Sequence, residues 1–183
     1  LGQYRNARKI FHCALMYVVV VGGAASILTL VFADVLVGGN SVPVLRIFAP
    51  TIFFSGILGV LRGYFQAHGT MVPTSFSQIL EQILNAVVSI LAAFLLMRMV
   101  AGQDDTTLAI YGASGSAIGT GAGVLVALLF MLFVLALNRR ALAKQERRDR
   151  SGELLETGEV YRIIITMVTP ILSLIHISEP TRL

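Results

Sequence analysis

Four long polar side chains cluster in the largely apolar stretch between Pro73 and Met99, namely Gln78, Glu81, Gln82 and Asn85. Their spacing of i, i+3, i+4 and i+7 places all four on one face of an α-helix. Counted from Pro73, Glu81 would lie roughly 12 Å along that helix, because each residue adds about 1.5 Å. A carboxylate at this depth in hydrocarbon costs on the order of a few kcal/mol. The polar stripe is therefore predicted to face protein or a water-filled cavity.

Two interpretations of this stripe remain open. It could line a cavity that binds a polar or charged substrate, or a coupling ion. It could instead be a buried hydrogen-bond cluster that holds the helix to its neighbours, a common use of Gln and Asn in membranes. Arg62 ends the preceding apolar stretch at a similar depth, so it is a candidate partner for Glu81. The candidate substrate or cavity-lining residues are therefore Arg62, Gln78, Glu81, Gln82 and Asn85.

Three glycines follow one another at four-residue spacing in the segment "YGASGSAIGTGAGV": Gly115, Gly119 and Gly123. Small residues at this spacing allow two membrane helices to approach closely. A phosphate-binding loop would require a preceding strand and usually a lysine, and neither is present here. The glycine ladder (Gly115, Gly119 and Gly123) is therefore predicted to serve helix packing.

The sequence offers little for catalysis or metal binding. His12 and His68 have no partner at a metal-ligand spacing, and Cys13 is the single cysteine. The adjacent aspartates Asp104 and Asp105 form the one acidic pair that an enzyme acting on lipid-linked sugars could use. Two aspartates in a short loop are more often solvated turn residues. We expect no catalytic residues, no metal site and no enzymatic activity.

The composition is that of an integral membrane protein. Of 183 residues, 56% are hydrophobic and 13% are charged, and the mean hydropathy is +0.81. Soluble domains have nearly a quarter of their residues charged. We therefore predict an all-α, polytopic transmembrane helix bundle in a cell membrane.

Apolar stretches long enough to cross a bilayer divide the chain. Spans are predicted at about 10–33, 44–64, 73–99 and 108–137, with a further span starting near 160. The fourth span is expected to continue as a helix beyond the membrane and to turn near Gly152. Residues 172–183 resemble the translation of a common sequencing adapter and are predicted not to be native. Residues 1–171 are expected to be an internal piece of a longer protein.

Basic residues indicate how the chain is oriented, since cytoplasmic loops are enriched in Lys and Arg. If the chain starts in the cytoplasm, the outside holds only Arg46 and Arg98. The inside then holds Arg5, Arg8, Lys9, Arg62, Arg139, Arg140, Lys144, Arg147, Arg148, Arg150 and Arg162. We predict that the chain start and the 139–159 loop are cytoplasmic. The net charge of +4 then reflects topology and contact with anionic lipid, and no nucleic acid is expected as a partner.

Several segments resemble a known family. They are "YRNARKIF" (Tyr4 to Phe11), "LRGYFQ" (Leu61 to Gln66), "PTSFSQILEQ" (Pro73 to Gln82) and "GASGSAIGTGAG" (Gly112 to Gly123). Across residues 1–171 the sequence resembles the polysaccharide biosynthesis and stage V sporulation protein B branch of the multidrug/oligosaccharidyl-lipid/polysaccharide flippase superfamily. The combination of "RGYFQ", "PT", "SQ" and "EQ" is specific, although its parts are weak.

The resemblance implies a MATE-like transporter with two six-helix lobes around a cavity that opens alternately to each side. Residues 1–171 would be part of the first lobe. The implied work is moving lipid-linked oligosaccharide or polysaccharide precursors across the cytoplasmic membrane for cell-envelope, capsule or spore-cortex synthesis. Arg62 and Glu81 would help to hold or gate the inward side. No cofactor is implied; coupling to a Na⁺ or H⁺ gradient or to the membrane potential is expected.

Three alternatives stay open at the level of sequence. A cation-coupled multidrug exporter of the same superfamily would share the architecture. A membrane-embedded enzyme would have to use Asp104 and Asp105. A non-transporting scaffold would use the glycine ladder to bind a partner helix.

Overall fold

The computed structural model describes residues 4–37, 39–148 and 156–166, and these residues are largely helical. The four long helices are α1 (Tyr4–Val31), α3 (Val42–Ala67), α4 (Val72–Met99) and α5 (Asp105–Arg148), and a short helix α2 (Ala33–Val37) follows α1. A 3₁₀ turn (Gly39–Ser41) precedes α3, and residues 157–166 are helical. The predicted turn near Gly152 and the adapter-like residues 172–183 lie outside the described residues.

Each long helix contains a segment that is long and apolar enough to cross a membrane: Asn6–Val31, Val42–Ala67, Val72–Met99 and Asp105–Lys144. Large apolar side chains on these helices are exposed in the isolated chain, such as Val20 at 66% and Ile90 at 70%. In a bilayer such surfaces meet acyl chains rather than water. The predicted all-α, polytopic fold is confirmed, and the chain is a multi-pass membrane protein.

Local sequence signals account for where the helices begin and end. Pro43 and Pro73 lie in the first turns of α3 and α4, where a missing backbone N–H costs nothing. Gly69 and Gly102 follow the ends of α3 and α4 and adopt positive φ angles of 74° and 100°. Glycine reaches this backbone conformation without strain. The chain can therefore reverse direction within a few residues at both places.

The spatial order of the helices differs from their order in the chain. Helix α3 packs between α1 and α5, whereas α5 packs between α3 and α4. The consecutive helices α3 and α4 thus meet only near the turn that joins them. Between α1 and α3, the Ser26 hydroxyl donates a hydrogen bond to the Ala49 carbonyl at 2.8 Å.

The buried core lies between α3 and α5. Its members are apolar and nearly inaccessible: Leu58, Leu61, Phe65, Val124, Ala127, Leu128 and Met131. Helix α5 has 44 residues, which corresponds to roughly 66 Å at about 1.5 Å per residue. The hydrocarbon core is only about 30 Å thick. The predicted continuation of this helix beyond the apolar span is observed, as far as Arg148.

Candidate functional site

An ion pair joins α3 to α4 near the turn between the two helices. Arg62 Nη2 donates to Glu81 Oε2 at 2.6 Å. The two side chains are only 17% and 21% exposed, although both residues belong to segments that can span a membrane. We refer to Arg62 and Glu81 as the enclosed ion pair. The similar depth of the two residues in their predicted spans suggested this pairing, and the structure contains it.

The first turns of α4 hold the guanidinium group of Arg62 in place. Arg62 Nε donates to Ser77 Oγ at 2.9 Å, and the Ser77 hydroxyl donates to the Thr74 carbonyl at 2.8 Å. The Thr74 hydroxyl in turn points at the Arg62 carbonyl at 3.4 Å. Ser77 and Thr74 are buried, so these contacts are shielded from solvent. Two of the guanidinium's nitrogen atoms are thereby bound by α4.

A second polar cluster lies two turns further along α4 and connects it to α5. The Ser89 and Thr120 hydroxyls both point at Asn85 Oδ1, at 2.9 Å and 3.2 Å. Thr120 Oγ1 also lies 3.1 Å from the Ser116 carbonyl. Asn85 therefore occupies the helix–helix contact, as the hydrogen-bond-cluster interpretation of the stripe requires.

The glycine ladder lies directly against α4. A Cβ atom added to Gly115 would overlap the Ala93 backbone, and one added to Gly119 would overlap Ser89. At Gly123 an added Cβ would lie 2.7 Å from the Glu81 carbonyl oxygen. The two backbones thus approach to a distance that only glycine allows. Because α4 covers it, the ladder is not available to a partner helix in this conformation.

The structure divides the polar stripe into two parts. Glu81 and Asn85 are half-buried, whereas Gln78 and Gln82 are exposed on the flank of α4. All four residues of the stripe lie on one helix face, so their spacing alone does not decide which of them a neighbouring helix covers. Among the residues of α4 that contact α3 or α5 are Ser77, Glu81, Asn85, Ser89 and Ala93. Ser77 and Ser89 continue the four-residue series of Glu81 and Asn85, and this spacing is the sequence signal that could have identified them.

The exposed amides of Gln78 and Gln82 lie beside the enclosed ion pair. A polar solute at this flank of α4 would find amide donors and acceptors together with a carboxylate and a guanidinium. The described part of the site contains no nucleophile paired with a base, since the Ser77 hydroxyl is bound to Arg62 and to a backbone carbonyl. The side chains of this site can bind and orient a polar or charged solute.

Asp104 and Asp105 are exposed at the start of α5. Asp104 accepts hydrogen bonds from the Thr107 hydroxyl at 2.7 Å and from the Thr107 backbone N–H at 3.3 Å. These bonds, above all the one from the hydroxyl, lower the pKa of Asp104 below its ordinary value. Asp105 is the acidic residue of the first helical turn. This is the geometry of a helix N-terminus that is stabilised by carboxylates.

The histidines are also engaged locally. His68 is buried and its Nδ1 lies 2.9 Å from the Tyr64 carbonyl, whereas His12 is exposed with its Nδ1 2.8 Å from the Arg8 carbonyl. Among residues 4–37, 39–148 and 156–166, no group of three His, Cys, Asp or Glu side chains is placed to hold a metal ion.

A second ion pair lies at the opposite end of α3. Arg46 Nη2 donates to Asp34 Oδ2 at 3.0 Å, and these side chains are 52% and 65% exposed. Arg98 at the end of α4 lies over the Phe94 ring, with its guanidinium carbon 4.6 Å from the ring centroid. Both cations that the sequence assigns to the outside are thus at helix ends.

Comparison with known proteins gives one informative similarity. No family model matches the chain, and no solved structure matches it. The chain is similar to the lipid II flippase MurJ of Bacillus subtilis (strain 168), at 27% identity over 142 residues. The matched region is 70% of this chain and 26% of that protein. The chain therefore spans about a quarter of the length of a curated bacterial flippase to which it is similar.

Proposed function

We propose that the protein is a flippase-type transporter that moves lipid-linked oligosaccharide or polysaccharide precursors across the cytoplasmic membrane by alternating access. The observation that carries this proposal is the enclosed ion pair, which joins two membrane-spanning helices next to exposed amides. The similarity to a lipid II flippase supports the substrate class. Cell-envelope or spore-cortex synthesis is the biological process that such a substrate would serve.

The physical argument begins with the substrate. A sugar headgroup linked through phosphate cannot cross hydrocarbon unaided, so its path must be lined by groups that replace water. Polar and charged groups raise the free energy of the protein in a membrane unless they are paired with each other while the path is closed. In the closed state Arg62 and Glu81 neutralise each other, and in an open state water and headgroup would solvate them.

The strength of this contact suits a reversible gate. A hydrogen bond to a charged group contributes about 1.5–3 kcal/mol net. Conformations that exchange during transport differ by a few kcal/mol. Separating the enclosed ion pair would therefore need no more free energy than differential binding of substrate or a membrane potential supplies. Coupling to a Na⁺ or H⁺ gradient or to the potential is part of the proposal.

The orientation of the protein is likewise proposed. Arg8 and Arg139 line one pocket together with Tyr64, which is two residues after Arg62. The starts of α1 and the ends of α3 and α5 therefore share one end of the bundle, whereas Arg46 and Arg98 lie towards the other. The enrichment of basic residues at the first end argues that it faces the cytoplasm.

The test is transbilayer movement by the full-length protein in proteoliposomes. A fluorescent lipid-linked oligosaccharide in the inner leaflet should become accessible to a membrane-impermeant quencher faster than in protein-free vesicles. No acceleration would contradict the proposal. Repeating the assay with and without a Na⁺ gradient, a pH gradient and a potential identifies the coupling.

A cationic-dye arm separates the multidrug exporter from the flippase. Transport of the dye without movement of the lipid-linked sugar would replace the proposed function by cation-coupled drug export. Movement of neither probe, in protein that unfolds cooperatively on heating, would favour a scaffold role.

A further inference from the structure

A pocket with a volume of about 380 Å³ opens where α1, α3 and α5 meet, at the end of the bundle that holds the ends of α3 and α5. Its lining comes from three helices and combines cationic, aromatic and aliphatic side chains: Arg8, Phe11, His12, Tyr64, Leu135, Arg139, Leu142 and Ala143. The volume lies within the range of about 300–1,000 Å³ that is typical of ligand pockets. Neither Arg62 nor Glu81 contributes to it, so the pocket is separate from the enclosed ion pair.

The polar part of the pocket is cationic. Arg8 comes from α1 and Arg139 from α5, and both are exposed, as is His12. None of the eight lining residues is acidic. Guanidinium groups bind phosphate oxygens through paired, charge-assisted hydrogen bonds, and two of them converging on one concavity suit a phosphate group.

The remaining wall is apolar and aromatic. The rings of Phe11 and Tyr64 are in contact, with centroids 4.5 Å apart. Leu135 and Leu142 extend the wall along α5 on either side of Arg139. A free anion would make no apolar contact with this surface, whereas the glycerol and first methylene groups of a lipid would bury it.

The depth of the pocket also matches a headgroup. Arg139 lies two residues beyond Leu137, where the apolar run ends, and tyrosines such as Tyr64 are enriched at membrane–water interfaces. Basic pockets between helix ends on the cytoplasmic side are a recurrent setting for acidic lipids.

We propose that this pocket binds the phosphate headgroup of an anionic phospholipid, with Arg8 and Arg139 on the phosphate and the start of an acyl chain against Phe11 and Leu135. The proposal is independent of transport and would stand if the proposed function failed.

The test is lipid retention by the full-length protein in nanodiscs of phosphatidylcholine with phosphatidylglycerol, read by native mass spectrometry. The wild type should retain phosphatidylglycerol in preference to phosphatidylcholine. Arg139→Gln should reduce that preference about tenfold, because it removes one of the two pocket cations that favour the net negative phosphatidylglycerol headgroup over the zwitterionic headgroup of phosphatidylcholine. Arg139→Lys should keep a larger part of it, since the charge remains.

The matched control is Arg140→Gln, which removes the same charge from the next residue of α5, outside the pocket lining. It should leave the preference nearly unchanged. Equal losses for the two variants would indicate only a diffuse basic surface and would overturn the proposal. Equal retention of both lipids by the wild type would also overturn it.

A second arm distinguishes lipid from free anion. Inorganic phosphate is added at rising concentration. It should displace phosphatidylglycerol only when its concentration is far higher than that of the lipid, because phosphate lacks the apolar contacts. Displacement at equal concentration would assign the pocket to free phosphate and overturn the lipid proposal. Far-ultraviolet circular dichroism on heating verifies that each variant is folded, and Arg8→Gln gives an independent repeat of the test.

Discussion

Helix α4 has two neighbours, and it contacts them in very different ways. Its contact with α5 runs along both helices and brings backbone against backbone at the glycine ladder. Its contact with α3 is confined to one end and is made by polar side chains, above all the enclosed ion pair. The first contact is a continuous packed interface, whereas the second rests on a few polar side chains.

Physical chemistry explains this difference. Close packing of backbones gains many small dispersion contacts, which the looser packing of lipid against a separated helix restores only in part. A charged pair behaves otherwise, because water can solvate both partners when they part. We therefore expect the polar contact between α3 and α4 to open more readily than the contact of α4 with α5 or the buried core that α3 shares with α5.

Helix α3 also takes part in a second ion pair, which can be compared with the enclosed ion pair. Arg46 and Asp34 have the same chemistry and a similar distance of 3.0 Å, but more than half of each side chain is exposed. Exposed pairs contribute about 0–1 kcal/mol. We therefore expect the burial of an ion pair, rather than its mere presence, to decide how much it contributes to the free energy of unfolding.

The largest expected effect breaks the contact between α4 and α5. Gly119→Ala adds a Cβ where Ser89 lies, so the free energy of unfolding should fall by about 1–3 kcal/mol or more, as for other overpacked sites. Unfolding in detergent, followed by circular dichroism, measures it. Gly59→Ala on α3 is the control, because nothing lies within 4 Å of the added atom. If the two variants lost the same stability, the close approach of the helices would be refuted.

The next effect separates the two ion pairs. Arg62→Gln leaves the Glu81 carboxylate without its partner in a mostly enclosed position, and should lower the free energy of unfolding by roughly 1.5–3 kcal/mol. Arg46→Gln should change it by less than about 1 kcal/mol. Chemical unfolding of both variants under one set of conditions compares them. A cost at Arg46 as large as that at Arg62 would remove the distinction.

A smaller effect concerns the polar cluster between α4 and α5. Asn85→Ala and Thr120→Val each remove one side of a hydrogen bond, and a double-mutant cycle should give a coupling of about 0.6 kcal/mol, typical of hydrogen bonds between membrane helices. Ser55→Ala, which removes a hydroxyl bonded only within α3, should show no coupling to Asn85→Ala. Additive effects of Asn85→Ala and Thr120→Val would show that these two residues make no energetically coupled contact.

The smallest effect lies at the start of α5. The Thr107 hydrogen bonds lower the pKa of Asp104 in the folded state, so Asp104 stabilises the fold above its unfolded pKa. This stabilisation is lost as the pH falls through the lower, folded value. Thr107→Val should raise the pKa of Asp104 towards its ordinary value. Carboxyl ¹³C NMR titration measures it, and an unchanged pKa would exclude the cap.

Much of the fold follows from the sequence, and the reasons are local. Apolar length predicts the membrane helices, prolines mark the starts of α3 and α4, and the equal depth of Arg62 and Glu81 suggested their pairing. The register of the contact was harder, because both i+3 and i+4 steps are compatible with one helix face. Ser77 and Ser89 were missed for that reason.

Contacts between distant segments were beyond the reach of sequence patterns. The insertion of α5 between α3 and α4 depends on how whole helix surfaces fit together, which no local pattern encodes. The pocket formed by Arg8, Tyr64 and Arg139 has the same origin, since its residues come from three helices far apart in the chain.

The most direct test of the central claim is the flipping rate of Glu81→Gln in the full-length protein, measured beside its unfolding free energy. Glutamine keeps an acceptor oxygen for Arg62 but removes the charge. We predict that flipping of the lipid-linked sugar falls by about tenfold, equivalent to about 1.4 kcal/mol, while the free energy of unfolding falls by no more than the roughly 1.5–3 kcal/mol expected for Arg62→Gln. Unchanged flipping together with unchanged stability would contradict the proposed role of the enclosed ion pair.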